Sequence, residues 1–295
     1  MSAPSCSIVV RTFNESRHLP DLLRAVSDQD HPRGRREVVL VDSGSTDGTV
    51  EIARAHGCRV HHISKDRFSF GRSLNEGCEV ATGEVLVCIS GHCVPTDGKW
   101  LSSLIAPFAR PEVGATYGRQ VGGQWTRFSE HQIFSKYFPA SEASQSPGFT
   151  NNANAAWRRS SWERFRFDED LTGLEDMHLG RRIVGAGMRV EYVPRASVHH
   201  HHHESWAQVR RRYFREAVAL REVMPEVHLH ATEVVRFFAA AVVGDLSRAA
   251  SERRLARSLG EVTLFRFNQY LGAWRGNSLH RKLSRREKYL YFYPS

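Results

Sequence analysis

Cysteine is scarce in this chain, and none of it is paired in sequence. The five cysteines (6, 58, 78, 88 and 93) lie scattered over 295 residues, odd in number and without a Cys-x-x-Cys spacing. That pattern excludes a disulfide framework, fits a reducing compartment, and makes a cytoplasmic location the expectation. No apolar run approaches the roughly 20 residues that span a bilayer. The longest in the C-terminal part, 234–243, is interrupted by Arg236. The first residues lack the basic, apolar and small-residue order of a secretory signal. Repeats and low-complexity linkers are absent as well. Net charge is missing from most of the chain: residues 1–204 hold 24 Lys/Arg against 24 Asp/Glu, whereas residues 205–295 hold 17 against 8. The whole excess of +9 therefore lies in the last third, which calls for an anionic partner or surface.

What is present starts with apolar runs. At 41% hydrophobic and this length, the chain can bury a full core. The run 38–41 ends in Asp42-Ser43-Gly44-Ser45-Thr46-Asp47-Gly48-Thr49. A buried parallel strand reads this way, delivering a carboxylate to its C-terminal edge. Thr46-Asp47 supplies caps for a helix over 49–56. A strand over 6–12 ends in Arg11-Thr12-Phe13-Asn14-Glu15 and precedes a helix over 17–29. A strand over 58–63 precedes Phe68-Ser69-Phe70-Gly71-Arg72 and a helix over 72–81. A strand over 84–89 ends in Ser90-Gly91-His92. This alternation predicts an α/β fold with a mostly parallel sheet and right-handed crossovers. Ligands in such sheets bind at the carboxyl edge of the strands.

The order Thr12-x-Asn14-Glu15, Val41-Asp42-Ser43-Gly44-Ser45-Thr46-Asp47-Gly48-Thr49, Ala81-Thr82-Gly83-Glu84-Val85-Leu86-Val87 and Leu174-Glu175-Asp176 resembles an inverting family 2 glycosyltransferase with the GT-A fold. The resemblance is closer to the rhamnosyltransferase-like branch. That branch has Phe-x-His-Gly-x-x-Arg-Asn where this chain has Phe68-Ser69-Phe70-Gly71-Arg72-Ser73-Leu74-Asn75. It covers roughly residues 5–215. It implies a catalytic domain over 1–204, with a nucleotide-sugar half to about 120 and an acceptor half over 121–204. A basic helical extension over 205–295 follows.

Several residues become site candidates through that resemblance. Thr12 and Asp42 would line the nucleoside pocket; capping of the turn is the other reading of Asp42. Asn14 and Glu15 would shape the first loop beside the donor. Gly71-Arg72 opens a helix, where an N-terminus and a guanidinium favour phosphate, and Asn75 follows one turn on. A surface arginine is the alternative. Ser90-Gly91-His92 stands where the family has its metal-binding Asp-x-Asp. The resemblance implies a divalent metal, Mn²⁺ or Mg²⁺, bridging the donor's phosphates. The missing acid leaves metal dependence open, and imidazole suits Mn²⁺ or Zn²⁺ better than Mg²⁺.

Five consecutive histidines, 199–203, follow Tyr192-Val193-Pro194-Arg195-Ala196-Ser197-Val198. Relatives of the family have Pro-x-Ala-x-Val-x-His-x-His here, and His200 and His202 fill those positions. Alternating residues of an extended segment point the same way, so two imidazoles can meet one metal or diphosphate with His92. A solvated tract is the alternative.

Glu175-Asp176 opens a helix at the positive end of its dipole. Inverting transfer needs one general base to deprotonate the acceptor hydroxyl. The resemblance assigns that role to Asp176, with Glu175 holding the acceptor or the loop; N-capping acids are the alternative. The segment 149–157 reads as a strand carrying amides, whose Asn152 and Asn154 would bind sugar hydroxyls. Trp157 would stack on a sugar face or fill the core. Trp206, Val209, Tyr213, Ala217 and Leu220 recur at helical spacing, so 206–222 is an amphipathic helix. Helices near 231–249 and 251–272 follow, then a basic aromatic end over 281–293.

The expected partners are a nucleotide-diphosphate sugar and a glycan or lipid-linked acceptor, in bacterial surface polysaccharide assembly. The C-terminal charge suggests an anionic membrane surface, or its helices a homodimer. No nucleic-acid motif accompanies that charge. A non-catalytic nucleotide-sugar or glycan-binding module is the rival from another class, suggested by the missing Asp-x-Asp. A sugar nucleotidyltransferase would want a glycine-rich loop with a lysine after the first strand, and Arg11-Thr12-Phe13-Asn14 is not that.

Overall fold

The computed structural model describes residues 4–141, 146–279 and 287. Its first half is the expected alternation: β1 (Cys6–Thr12), α1 (Leu19–Ser27), β2 (Arg36–Asp42), α2 (Thr49–Ala55), β3 (Arg59–His62), α3 (Phe70–Val80) and β4 (Val85–Ser90). These four strands are parallel, in the order β3-β2-β1-β4. They are continuous apolar runs because both faces are covered. Ile8, Val10 and Leu40 face a core built with α1 and the later α4 (Trp100–Ile105). Val9, Val39 and Val41 face the opposite core, with Leu74 and Cys78 of α3.

The alternation stops at β4. Only two residues separate it from β5 (Cys93–Pro95), too few for a parallel crossover. The sheet continues with β6 (Val113–Gly122), β7 (Asn154–Arg158) and β8 (Arg189–His200), in the full order β3-β2-β1-β4-β7-β6-β8-β5. Strand β7 is antiparallel to both neighbours, and β5 is antiparallel to β8. The eight-stranded sheet is therefore mixed. Helices α5 (Phe128–Tyr137), α6 (Arg159–Phe165) and α7 (Glu175–Gly185) flank its second half.

The strand expected from residue 149 begins at Asn154. Asn151 folds the preceding residues into a turn by accepting the Ala153 N–H at 3.0 Å.

Three helices end the described chain: α8 (Trp206–Val223), α9 (Ala231–Ser251) and α10 (Leu255–Asn277). Ser205 and Gln208 cap α8 reciprocally. Gly276 lets α10 close on α8: a Cβ there would stand 2.3 Å from the Phe214 carbonyl. Arg266 joins α10 to α9 through two hydrogen bonds to Asp245, at 2.8 and 2.9 Å. The basic aromatic end, 281–293, lies outside the described residues apart from Glu287.

Four residues expected at the site belong to this framework instead. Asn75 donates to Phe167 O and to Glu169 Oε1, and accepts from Trp162 Nε1 and Phe167 N, all within 3.1 Å. Its amide is spent on tying α3 to the segment before α7. Gly71 is required by packing, because a Cβ would lie 2.1 Å from the Asp168 carbonyl. Asn154 is fully buried and stitches the sheet, accepting from Trp100 Nε1 and donating to the carbonyls of Arg119 and Ala196. Trp157, equally buried, fills the core and meets Phe167 edge-on. All three side chains are buried and bonded within the protein, out of reach of a sugar or nucleotide.

Asn75→Ala should therefore act on stability. Each buried polar group left unpaired costs about 1–3 kcal/mol, so urea unfolding should show a loss of about 2–4 kcal/mol. Nucleotide affinity of the folded fraction should be unchanged. A weakened nucleotide affinity at parental stability would return Asn75 to the binding site.

Candidate active site

Strands β1, β2 and β4 end side by side, and the loops leaving them are stapled together. Asn14 adopts a left-handed backbone (φ 55°) and accepts the Thr46 N–H at 2.9 Å. Its own N–H donates to Ser45 Oγ at 2.8 Å. Asp47 accepts from Ser16 N–H and from Thr49 Oγ1. Burial opposes its ionisation, but those hydrogen bonds hold Asp47 down at about 2. Asp42 is buried and accepts the N–H groups of Gly44 and Ser45 at 3.0 and 3.1 Å. It therefore caps the turn, and His62 Nδ1 stands 3.7 Å from it. Thr12 donates to the Val41 carbonyl beside it at 3.2 Å.

The structure brings His92, His200 and His202 together. One ligand atom from each lies within 4.8 Å of the others. His92 comes from the turn after β4, His200 ends β8, and His202 points the same way two residues on. Each Nδ1 is engaged by a different acceptor: Glu15 Oε1 for His92, Gln120 Oε1 for His200 and Glu130 Oε1 for His202, all at 2.6 Å. Ser90 Oγ lies 3.2 Å from His92 Nε2. Acceptors of this kind orient metal-ligating imidazoles by fixing the ring and its tautomer. Burial, then the neighbouring His202 and His92, push the His200 pKa well below 6.5, so it stands neutral. For His92, burial lowers the pKa but Glu15 outweighs it and raises it. Three imidazoles fit a divalent transition ion better than Mg²⁺, and His202 also groups with the carboxylates of Glu130 and Glu204 within 4.8 Å.

The other members of the tract are bystanders. His201 stacks on His18 with ring centroids 4.7 Å apart, and His199 and His203 are exposed.

Glu175 and Asp176 form the first turn of α7 and are both buried. Asp176 accepts the N–H of Asn152 at 2.8 Å through Oδ2 and that of Met177 at 2.7 Å through Oδ1. Burial first, then repulsion from Glu175, pushes Asp176 up to about 7. Glu175 Oε1 lies 3.5 Å from Asn152 Nδ2 and 3.6 Å from Arg11 Nη1. Asn152 thus sits against the acid pair, its Oδ1 accepting from Trp157 Nε1. Arg72 is less available than expected: Nε donates to Glu169 Oε2 at 2.7 Å and Nη1 to the Arg67 carbonyl.

Sequence reasoning missed several neighbours. Glu130 of α5 anchors His202 and is itself held by Arg212 of α8 at 2.6 Å. Burial would raise Glu130, but His202 and Arg212 hold it down at about 2. Glu204 takes a second contact from Arg212 at 2.7 Å. Helix α8, expected to open a separate extension, thus supports the site. Gln120 had no signal beyond its strand. Arg212 had one: it falls next to the apolar stripe of an amphipathic helix.

Comparison with known proteins agrees with this architecture. Residues 7–166 match the family described as Glycosyl transferase family 2. The chain is 25% identical over 222 residues to the O-antigen chain rhamnosyltransferase RfbN of Salmonella typhimurium, covering 70% of each chain. It is 25% identical over 224 residues to the O-antigen chain rhamnosyltransferase WbaN of Salmonella anatum, covering 72% of this chain and 70% of that one. Among solved structures, the mannosyltransferase PcManGT from Pyrobaculum calidifontis, in complex with GDP-Man and Mn²⁺, superposes with a TM-score of 0.62 at 20% identity. That match covers 93% of this chain and 89% of PcManGT, and it supports the GT-A fold. The chain belongs to glycosyltransferase family 2, in its rhamnosyltransferase-like branch.

Proposed function

We propose that this chain is an inverting glycosyltransferase. It moves a hexose or deoxyhexose from a nucleotide-diphosphate sugar to a glycan or lipid-linked glycan in surface polysaccharide assembly. The carrying observation is Asp176: a buried carboxylate at a helix N-terminus, raised to about 7 and fixed by two backbone N–H groups. A base of that pKa is matched to taking a proton from an attacking hydroxyl near neutral pH. The likeness to two O-antigen rhamnosyltransferases supports the acceptor class.

His92, His200 and His202 would hold the divalent ion, and the Mn²⁺ of PcManGT supports a metal in this fold. Such an ion supplies Lewis acidity that offsets charge on a departing nucleoside diphosphate. Glu15, Gln120 and Glu130 keep the three imidazoles oriented, and Asn152 steadies Glu175. The absence of an acid at 90–92 favours a second reading, a binding module without turnover. Donor consumption by the intact protein separates the two.

The acceptor reading places the enzyme at an anionic membrane. No helix among the described residues is long and apolar enough to cross a membrane. Helix α10 instead exposes Leu264, Phe267 and Trp274, on one stripe, and α9 exposes Val235 and Val243. Arg236 and Arg275 are exposed next to Val235 and Trp274 in the chain, within the region that carries the whole net charge. Apolar side chains with cations beside them suit the interface of an anionic bilayer.

Four outcomes follow from this reading. Asp176→Asn keeps shape and removes the proton acceptor, so transfer should fall by a factor of roughly 10² or more with donor affinity nearly unchanged. The base must be ionised, so parental kcat/KM should rise with pH up to about 7 and then level off. A flat profile, or near-parental transfer in the variant, refutes the assignment. His202→Ala should weaken Mn²⁺ binding, read by calorimetry, at least tenfold, and Glu130→Gln should weaken it less; equal affinity in all three proteins removes the metal from the site. Flotation with anionic vesicles should be strong at low salt and lost at high salt, since each basic residue near the surface contributes about 1 kcal/mol and salt screens it. A protein that stays off the vesicles and scatters light as a dimer has used this face for a second subunit instead.

A further inference from the structure

Phe70, the first residue of α3, lies against two guanidinium groups. Cζ of Arg11 is 4.4 Å from the ring centroid and Cζ of Arg215 is 4.3 Å from it. Arg11 comes from the end of β1 and Arg215 from α8, so the fold brings together two cations that are distant in sequence. Arg215 has no side-chain hydrogen bond and no acid within ion-pair distance among the described residues, and its Nε is buried without a partner. Arg11 reaches one acid, Glu175 Oε1, at 3.6 Å, which is too long for a hydrogen bond; its Nη1 is also buried and unpartnered.

Two other arginines of the C-terminal helices do have carboxylate partners. Arg212, on the same helix as Arg215, contacts Glu130 and Glu204 at 2.6 and 2.7 Å, and Arg266 grips Asp245 with two bonds. Arg11 and Arg215 each have one buried nitrogen without a hydrogen bond, and Glu175 is the one carboxylate within ion-pair distance of either among the described residues, so an external anion would satisfy donors that the protein leaves open. Their position says which side of the molecule it enters from. Thr172 Oγ1 donates to the Arg215 carbonyl at 3.0 Å, and a Cβ on Gly173 would stand 3.8 Å from Arg215 Nε. The loop leading into Glu175-Asp176 therefore runs alongside this guanidinium.

We infer that Arg11 and Arg215 form a binding site for a phosphate or diphosphate group beside the acid pair. The forked donors of two guanidinium groups match the several oxygens and multiple charge of such an anion better than a single carboxylate does. The assignment deepens the glycosyltransferase reading, and it has two sources to choose from: the diphosphate of the donor, or a phosphate carried by the acceptor.

Calorimetric titration of the full chain with inorganic pyrophosphate, in metal-free, low-salt buffer, tests the site without turnover. Arg215→Met and Arg11→Met keep most of the side-chain length and remove the charge. Each should weaken pyrophosphate binding tenfold or more, while Arg24→Met, at an exposed pair on α1, should leave it unchanged. Thermal melts check that both site variants fold, and each variant reads the site independently of the other. Pyrophosphate affinity within about twofold of the parent in a folded site variant overturns the inference, as does failure of the parent to bind. Competition with UDP and GDP names the source: mutual exclusion assigns the anion to the donor, and simultaneous binding assigns it to the acceptor. Because no transfer is measured, loss of the Asp176 assignment would leave this result standing, and the reverse.

Discussion

Asp176 occupies a place where a carboxylate is costly to ionise. It is buried, it has Glu175 beside it, and only two backbone N–H groups and the more distant Arg11 favour the charge. The rest of the edge is arranged around that cost. Asn152 both caps Asp176 through its backbone and approaches Glu175 through its side chain, so the turn before β7 and the first turn of α7 hold each other. The first two loops are braced by Asn14 and Asp47. Under the proposed function, a preorganised edge of this kind would let Asp176 face an acceptor without first rearranging.

His92 stands where the family has an acid, and His200 and His202 gather beside it. The exchange changes the chemistry more than the geometry. A carboxylate brings charge and needs little support, whereas a neutral imidazole must have its tautomer fixed. Here three separate elements provide that: the first loop through Glu15, β6 through Gln120, and α5 through Glu130. Glu130 would be a poor anchor alone, since burial disfavours its charge, and Arg212 on α8 overcomes this. The C-terminal helices thus contribute to the site as well as to the surface.

Much of this was legible in the chain. The parallel strands could be read because burial on both faces demands unbroken apolar runs, and the placement of His200 and His202 because extended backbone has a period of two. The mixed second half was not, because β7 reaches its neighbours across long stretches of sequence that no local pattern registers. Asn75 and Asn154 differ from expectation for a chemical reason: a buried amide that ties two elements looks, in sequence, the same as one that binds a nucleotide or a sugar. Nothing in the sequence marks Glu130 or Arg215, and only the packing of α5 and α8 against the edge gives them partners or withholds them. The raised pKa of Asp176 has the same origin, since it depends on what is packed around the acid rather than on the acid itself.

The central claim is that one metal-assisted diphosphate site at the carboxyl edge of the sheet serves the base at Asp176. The most direct test is anomalous diffraction from crystals grown with Mn²⁺ and a nucleoside diphosphate. A single manganese peak is expected about 2–2.3 Å from nitrogen atoms of His92, His200 and His202, with the diphosphate on it. Manganese bound elsewhere, or a nucleotide whose phosphates lie away from the three histidines, would contradict it.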